Sequence, residues 1–297
     1  MNYNEAISRS LRFIEAHIRE ELTAEQIARE AGYSTFHFCR VFALTQGLPL
    51  MEYVRKRRLL LSREELLHNG KIIEVAMEYG FETAAGFSKA FRREFGYSPT
   101  AYLARMGGFN PKGTAMKLGG IMMNPKITKK EAFKIAGYGI HTNITEGFTK
   151  DVAAYWDTYA GENLESKMYE MLKPPKHGEV GVCVPNAEDG RAVYLFGVIV
   201  EDFDRVQPDM MTLEVPEAEY AVFTTPPVNS VDTADSYNAD PLSVAVKETW
   251  RAIFTQWFPA SGYAFDESKV SFEFYDERCH GLENSVMDIY VPVVKVP

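Results

Sequence analysis

One pattern is written twice in the first hundred residues, and this repetition limits the fold more than any other feature. The stretch EAGYSTFHFCRVFALTQGLPLMEY at residues 30–53 returns as EYGFETAAGFSKAFRREFGYSPTAY at residues 78–102. In both copies a glycine followed by an aromatic residue separates two helix-forming segments, and Gly32 corresponds to Gly80. A pattern that recurs in this way indicates two copies of one structural unit.

Each copy has the pattern of a helix-turn-helix. Thr23 and Gln26 have the spacing of a capping box at the start of the first helix, Gly32 suits the positive φ of a tight turn, and Ser34 is expected to cap the second helix. A helix over about residues 50–67 would join the copies and span about 27 Å at about 1.5 Å per residue. The two second helices would then lie about 34 Å apart, which is one turn of B-DNA, so one chain could read two successive major grooves.

The charge distribution agrees with a nucleic-acid partner for the first part of the chain. Residues 1–130 carry 20 Lys and Arg against 13 Asp and Glu, whereas residues 131–297 carry 12 against 28. The basic part suits phosphate, and the acidic part suits a neutral or cationic partner. Two alternatives remain open: the acidic surface only confers solubility, and helix-turn-helix geometry also occurs as ordinary packing in all-α proteins.

Residues 1–106 resemble the DNA-binding domain of the AraC/XylS family, and YGFETAAGFSKAFRREFGYSPTAY is similar to the signature of that family almost throughout. The resemblance implies a sequence-specific transcription regulator, expected to be an activator, that binds double-stranded promoter DNA and works with RNA polymerase. It places one set of side chains in the first groove, a second set in the second groove and one arginine on the DNA backbone: Thr35, Phe36, Cys39 and Arg40; Thr83, Ala84, Ala85, Ser88 and Lys89; and Arg57.

This chain departs from the family pattern where relatives often carry long polar side chains, because it has Cys39, Ala84 and Ala85 there. Fewer bidentate contacts to bases are then available. Specificity is expected to depend more on Arg40, on apolar contact with thymine methyl groups and on DNA shape. Arg40 could instead contact phosphate alone.

The next segment, GGFNPKGTAMKLGGIMMNP at residues 107–125, contains five glycines and two prolines. Such a composition does not sustain a helix or a long strand, so we predict an interdomain linker. The N-terminus does not have the pattern of a signal peptide, and no apolar run has the length of a membrane span, so the expected location is the cytoplasm, on the nucleoid when DNA is bound. The three cysteines and six histidines are scattered, which predicts free thiols, no metal site and no cofactor.

From residue 126 the hydrophobic period changes to that of strands alternating with helices. The predicted order is β-α-β-β, twice, and the two helices align with Val152 opposite Val246 and Trp156 opposite Trp250, 94 residues apart. We therefore predict a multidomain protein: an all-α double helix-turn-helix domain, followed over residues 126–297 by an α+β domain built of two β-α-β-β halves. A pseudo-twofold axis would relate the halves, with a cleft between them.

Glu273 is the candidate that carries chemistry in this second domain. It lies between Phe272 and Phe274 in a predicted strand, and alternation places it on the opposite face, beside Tyr275. A carboxylate among aromatic rings is costly unless it is paired or binds a cation, so aromatic faces around Glu273 would suit a cationic or amphipathic small molecule. An exposed face, or a Lys or Arg partner for Glu273, is the alternative. The candidate pocket walls are the aromatic residues Tyr155, Trp156, Tyr194, Trp250, Phe254, Tyr275 and Tyr290.

The phrases EYAVF, TWRAIFTQWFPASGYAF, SFEFY and MDIYVPV are similar to the GyrI-like effector-binding domain, over about residues 127–296. That resemblance implies a bound small-molecule effector with Glu273 facing it. Some GyrI-like domains hydrolyse small molecules, with Glu273 as a conceivable general base, but the sequence has no nucleophile elbow, metal cluster or evident acid–base pair, and we expect no enzyme. A third possibility is a constitutive DNA-binding protein whose second half sequesters or recruits partners.

Overall fold

The computed structural model describes residues 3–69, 71–106, 124–143, 148–185, 191–229, 241–279 and 283–296. The chain divides into two compact units, residues 1–94 and residues 95–297. Except for residues 124 and 125, the predicted linker lies outside the described residues, and the predicted boundary at residue 106 stays a prediction.

The first unit is helical, as predicted, and its helices are α1 Tyr3–Ala16, α2 Ala24–Ala31, α3 Thr35–Gln46, α4 Leu50–Asn69, α5 Ile72–Glu78 and α6 Ala84–Phe95, whose last residue already belongs to the second unit. The pairs α2–α3 and α5–α6 are the two helix-turn-helix copies. Helix α4 joins them and, with 20 residues, is about 30 Å long.

The helix starts show how closely the two copies agree. The capping box of α2 is present, because the Gln26 N–H donates to Thr23 Oγ1 at 3.2 Å and the Thr23 N–H donates to Gln26 Oε1 at 2.8 Å. Ser34 holds the N-cap position of α3, but its side chain makes no capping bond, so the prediction was wrong in that detail. In the second copy Thr83 caps α6 by accepting the Gly86 N–H at 3.0 Å.

Arg58 on α4 joins the end of α1 to the turn of the second copy. Its guanidinium donates to the carbonyl of Ile18 at 2.9 Å and to that of Glu20 at 2.5 Å. The same group fills the space beside Gly80, where a Cβ would lie 2.6 Å from Arg58 Nη1. Gly80 also has a φ of +74°, which favours glycine. Two independent demands thus require glycine in this turn.

The second unit combines helices with antiparallel strands, as predicted. Its helices are α7 Pro99–Met106, α8 Phe148–Gly161, α9 Leu164–Leu172, α10 Pro241–Ala252 and α11 Phe258–Ser261, with a π-helical turn Ile253–Trp257 and a 3₁₀ turn Glu277–Cys279. Its strands are β1 Lys126–Lys130, β2 Phe133–Asn143, β3 Glu179–Pro185, β4 Arg191–Val200, β5 Met211–Val215, β6 Ala218–Thr224, β7 Tyr263–Phe265, β8 Phe272–Tyr275 and β9 Asp288–Lys295.

The strand order is β1-β6-β9-β8-β3-β4-β2-β5, and β7 pairs with β9. Each strand of the first half has a counterpart in the second half: β1 with β5, β2 with β6, β3 with β8 and β4 with β9. Exchanging every strand with its counterpart gives the same order read in reverse. The two halves are therefore topologically equivalent about an axis between β3 and β8. The first strand of each half pairs with a strand of the other half, because β1 pairs with β6 and β5 pairs with β2.

The sheet curls so that one face encloses its own core. Strands β1 and β2 are far apart in the strand order, yet only residues 131–132 connect them, and only residues 216–217 connect β5 and β6. Gly137 faces Gly197 across β2 and β4 so closely that a Cβ at Gly137 would lie 2.3 Å from the partner Cα. Valine, isoleucine and aromatic side chains, among them Val180 and Phe272, are buried on this inner face. The opposite face carries the helices and the candidate site.

The structure differs from the predicted elements of the second domain in several places. The stretches predicted as the first strand of each half are two strands each, β1 with β2 and β5 with β6, and Pro216 lies at the second break. Helix α9 was not predicted. The predicted helix that carries Val246 and Trp250 changes to π-helical geometry at Ile253.

Candidate nucleic-acid interface and effector site

Helix α3 exposes a stripe of four side chains at helical spacing: Phe36, His37, Arg40 and Leu44. Phe36 is 82% exposed and Leu44 is 79% exposed, which is unusual for large apolar side chains in a unit of this size. Cys39 and Thr35, both candidates for base contact, are half-buried, and Cys39 packs against the core of the first copy. The exposed face therefore retains Phe36 and Arg40 from the predicted set and adds His37 and Leu44.

Helix α6 presents the equivalent face of the second copy, where Ala85, Lys89, Arg92 and Arg93 are exposed. Lys89 corresponds to Arg40, 49 residues later. Ala84 and Ser88 are half-buried, and the hydroxyl of Thr83 caps the helix. The sequence analysis did not predict that Arg92 and Arg93 belong to this face, because the family resemblance places the DNA contacts in the first half of the helix. Their spacing from Lys89, three and four residues on, was the available signal.

Arg57, predicted to contact the DNA backbone, is engaged inside the first unit. Its Nε and Nη2 donate to the two carboxylate oxygens of Glu15, each at 2.7 Å. This bidentate pair raises the pKa of Arg57. The pair joins α4 to α1, and the contact of Arg57 with the DNA backbone stays a prediction.

Glu273 has the orientation that alternation predicted, on the helix-bearing face of β8. Its Oε1 accepts the indole N–H of Trp250 at 2.8 Å, and its Oε2 accepts the hydroxyl of Tyr275 at 3.1 Å. Lys247 lies near enough on α10 for the charge of Glu273 to raise its pKa, against a larger lowering by burial. Both expectations, aromatic neighbours and a basic partner, are thus partly met.

A cavity of about 210 Å³ lies in the cleft between α8, α9, α10 and the sheet. Aromatic rings, two carboxylates and the first turns of α10 form its walls: Trp156, Tyr159, Glu165, Glu179, Phe196, Leu242, Ser243, Val246, Tyr275 and Cys279. Tyr275 connects this cavity to Glu273, because its ring lines the cavity and its hydroxyl donates to the carboxylate.

The structure brings only some of the predicted aromatic residues to this cavity. Trp156 and Tyr275 line it. Tyr194 supports Trp156 by accepting its indole N–H at 3.2 Å, and Tyr155 packs edge-on against both Trp156 and Tyr194. These two form a layer behind the wall.

Three other aromatic residues are placed differently from the prediction. Trp250 is 1% exposed and Phe254 is completely buried, so neither lines the cavity, although Trp250 contacts Glu273. Tyr290 pairs with Phe272 across the sheet and stacks on it with ring centroids 4.4 Å apart. Tyr290 therefore lies on the inner face, opposite Glu273, because the pairing register of β8 and β9 reverses the side that sequence order alone suggests.

Glu179 is a site residue that sequence reasoning missed. It is 2% exposed, lies directly opposite Tyr275 in the pairing of β3 with β8, and accepts the Tyr169 hydroxyl at 2.5 Å. Glu179 stands 94 residues before Glu273, the offset that aligned the two helices. Applying that offset to the strands would have found it.

Trp250 also faces a residue of α7. The Arg105 guanidinium lies over the Trp250 ring, 4.9 Å from its centroid, and Arg105 Nη2 donates to the carbonyl of Ser271 at 2.6 Å and to its hydroxyl at 2.7 Å. Tyr97, just before α7, donates its hydroxyl to the carbonyl of Phe254 at 2.7 Å. These contacts explain why the second compact unit begins before residue 106.

A larger depression, of about 530 Å³, follows strand β1. Lys126, Lys129 and Lys130 are among its lining residues, so its charge opposes binding of a cation. Of these two cavities, the smaller one combines carboxylates with aromatic rings, which is the combination that the sequence analysis predicts for a cationic ligand.

The fold and these two surfaces define a class: a DNA-binding transcription regulator that carries an effector-binding domain. Residues 126–293 match the family described as integron-associated effector binding protein, and residues 27–105 match a helix-turn-helix domain family. The chain therefore belongs to the integron-associated effector binding proteins through its second domain and to the AraC-type regulators through its first. In the described part of the chain, no helix has the length and apolar content of a membrane span.

Individual relatives match the first domain. The chain is 33% identical over 113 residues to the uncharacterised helix-turn-helix regulator YbfP of Bacillus subtilis, with 38% of each chain covered. It is 36% identical over 105 residues to the transcriptional activator AarP of Providencia stuartii, which covers 35% of this chain and 78% of AarP. The second domain is similar to the solved structure of SAV2435 bound to tetraphenylphosphonium, with 15% identity, a TM-score of 0.47, and 58% of this chain and 94% of that chain covered.

Proposed function

We propose that this protein is a transcription regulator, of the activating kind, whose binding to promoter DNA responds to a cationic or amphipathic small molecule in the second domain. The observation that carries the proposal is the acidic and aromatic cavity in a domain fused to two DNA-reading helices. As an activator it would engage RNA polymerase as well as DNA, and it would act in the cytoplasm on the nucleoid.

The first domain supplies two unequal reading surfaces. Helix α3 offers Phe36 for apolar contact with thymine methyl groups and Arg40 for a bidentate contact to guanine. Helix α6 offers Lys89 and Arg93, which suit phosphate and bases alike. The first half-site would then contribute more of the sequence preference and the second half-site more of the salt-dependent affinity.

The second domain supplies a site in which a cation is favoured over a neutral molecule. Trp156, Phe196 and Tyr275 present ring surfaces at the cavity, and ring faces attract cations. Glu273 lies behind Tyr275 with both carboxylate oxygens already hydrogen-bonded, so it would act through its charge, or by exchanging the Tyr275 bond for one to the ligand.

Trp250 provides a route between the two functions. The indole N–H of Trp250 donates to Glu273, and the guanidinium of Arg105 lies over the face of the Trp250 ring. Arg105 lies on α7, within the residues that match the helix-turn-helix family. A ligand that draws Glu273 or Tyr275 toward the cavity changes the environment of Trp250, and therefore the setting of α7. Coupling of this kind requires only that the ligand favours one arrangement of α7 over another.

Titration calorimetry of the full chain with tetraphenylphosphonium, against the neutral triphenylphosphine oxide, tests the effector proposal. We expect saturable binding of the cation and weaker binding of the neutral compound. Glu273→Gln keeps an oxygen acceptor for Trp250 but removes the charge, so it should weaken cation binding by roughly tenfold, or about 1.4 kcal/mol, and leave DNA affinity without ligand unchanged. Equal affinity of the variant for the cation would remove Glu273 from the site.

A hydrolase is the second candidate function, and the relatives do not favour it because they are transcription regulators. Benzoylcholine, a cationic aromatic ester, separates the two. A sensor returns the ester intact after prolonged incubation, whereas turnover that Glu273→Gln abolishes would establish the hydrolase.

A further inference from the structure

We propose that Glu165, His177 and Glu179 bind a divalent metal ion, of the Zn²⁺ or Mn²⁺ class, at the α9 end of the cavity. One ligand atom from each of the three side chains lies within 4.8 Å of the other two. His177 Nε2 and Glu179 Oε1 are 4.0 Å apart. The proposed metal site shares Glu165 and Glu179 with the cavity of the proposed effector site. The inference does not depend on effector binding, because it is argued from the convergence of metal-ligating atoms.

The local structure of residues 165–179 explains how these three side chains converge. Glu165 is in the first turn of α9, Glu179 is the first residue of β3, and His177 lies in the connection that returns from the end of α9 to that strand. Helix α9 and the return connection thus place both ends of the segment at one point. Sequence spacing did not indicate a metal site because the ligands come from three different elements.

A second layer of contacts orients two of the ligands. The Tyr169 hydroxyl donates to Glu179 Oε1 at 2.5 Å and accepts the Gly178 N–H at 3.0 Å. The Tyr169 ring stacks on His177, with centroids 5.4 Å apart and planes 17° apart. Metal ligands in proteins are usually fixed by such outer contacts, which set the orientation of the imidazole and the carboxylate.

Tyr159 gives an independent indication that the site takes a ligand. Its side chain is 6% exposed and lines the cavity together with Glu165 and Glu179. Among the described residues, its buried hydroxyl has no hydrogen-bond partner, and a buried unsatisfied hydroxyl is costly. A metal ion with a bound water, or an anionic ligand of that metal, would supply the missing partner.

The charge balance favours a divalent ion over an ion pair within the protein. Glu165 and Glu179 bring two negative charges to one point, and His177 contributes at most one positive charge. Two neighbouring carboxylates repel each other. A divalent ion neutralises both, and a set of one imidazole nitrogen with carboxylate oxygens suits Zn²⁺ and Mn²⁺ better than Mg²⁺ or Ca²⁺.

The test is titration of the metal-stripped full chain with Zn²⁺ and with Mn²⁺ by calorimetry. We expect saturable binding of one ion per chain, weakened at least about tenfold in Glu165→Gln and in His177→Gln. These two side chains are exposed, so their replacement leaves the fold intact, whereas Glu179 is buried. Glu273→Gln is the matched control, since Glu273 is the pseudo-symmetric equivalent of Glu179, and it should leave metal affinity unchanged.

Cys279 also borders the cavity, so the ligand set needs its own check. With Co²⁺ in place of Zn²⁺, the expected visible spectrum has no thiolate-to-cobalt charge-transfer band, and Cys279→Ser leaves it unaltered. Absence of saturable binding would overturn the proposal. So would binding that survives both Glu165→Gln and His177→Gln, or a thiolate band that Cys279→Ser removes. Failure of tetraphenylphosphonium to bind the metal-stripped chain, with metal binding retained, would instead count against the effector proposal alone.

Discussion

The DNA-reading surface proposed for α3 depends on Arg40. It is exposed on α3 between Phe36 and Leu44, and α3 contains no lysine and no other arginine. We predict that Arg40→Ala weakens specific DNA binding by about 1–3 kcal/mol and relaxes sequence preference at one base. Quantitative binding to a duplex selected from a random pool, and to a scrambled duplex, measures both effects.

Arg29→Ala is the matched control for that experiment. Arg29 is exposed on α2 and pairs with Glu25 at 2.9 Å, so it belongs to the same unit but not to the reading surface. Its replacement should change specific affinity by less than about 0.5 kcal/mol. If Arg40→Ala lowers affinity for the selected and scrambled duplexes equally, Arg40 contacts phosphate and not a base.

The three cysteines give a prediction about pH and reactivity. Burial raises the pKa of Cys183 and of Cys279 to about 11, so both stay protonated at neutral and mildly alkaline pH, and only the thiolate is a good nucleophile. At about pH 8 we expect Ellman's reagent to modify no more than one thiol of the native chain rapidly, and none in Cys39→Ser. Rapid modification of two or three thiols would contradict the burial described here.

For single residues, the sequence predicted on which face of its own strand a side chain lies, but not which residues of other strands it contacts. Alternation along one strand placed Glu273 opposite Phe272 correctly, because the period of a strand is fixed. It could not place Tyr290, since the side on which a residue of β9 lies relative to β8 depends on the pairing register. Glu179 could have been predicted, because the offset of 94 residues that aligns the two helices applies to the strands as well.

Gly80 lies just after α5, beside Arg58 of α4, which also contacts the residues that follow α1. Ala at Gly80 would displace the Arg58 guanidinium, which is held by the carbonyls of Ile18 and Glu20. Gly47 has a similar φ of +75° but open space around it, so Gly47→Ala bears only the backbone cost of roughly 1–2 kcal/mol. We predict that Gly80→Ala is less stable than Gly47→Ala by about 1 kcal/mol or more.

Thermal unfolding of the two full-length variants measures that difference, and hydrogen exchange locates it. Exchange should accelerate in α5 for Gly80→Ala and near the end of α3 for Gly47→Ala. Equal melting temperatures would show that Arg58 moves without loss of its hydrogen bonds.

Element types were predictable where periodicity was strong, as in the helices of the first unit. The breaks within the predicted strands at residues 131–132 and 216–217 were not predictable, because each break follows from the curl of the whole sheet. Helix α9 was missed because it is short, 9 residues, and follows α8 after a brief turn. The π-helical turn at Ile253 depends on packing that a helical sequence pattern does not reveal.

At the scale of the whole molecule, α7 links the DNA-binding sequence match to the effector-binding unit. Helix α7 falls within the helix-turn-helix match but packs in the second unit through Tyr97 and Arg105. This packing was not predictable from the sequence, because the family resemblance assigns α7 to the first domain. Its packing depends on contacts with residues more than 140 positions away.

We predict that Arg105→Ala reduces the effect of ligand on DNA affinity while tetraphenylphosphonium binding stays within about threefold of the parent chain. The physical reason is loss of the contacts from Arg105 to Trp250 and to Ser271. Thr100→Ala, on the same helix, is the control and should preserve coupling. Unchanged coupling in Arg105→Ala would assign communication to another route.

Control of the first domain by the second is the core of the proposed function, and one reciprocal titration measures it. Fluorescence anisotropy of a selected duplex is measured with the full chain at zero and at saturating tetraphenylphosphonium, and calorimetry of tetraphenylphosphonium is measured with and without that duplex. We predict that each ligand changes the affinity of the other by the same factor, of about five or more. Saturable binding of both ligands with neither affinity altered would contradict it.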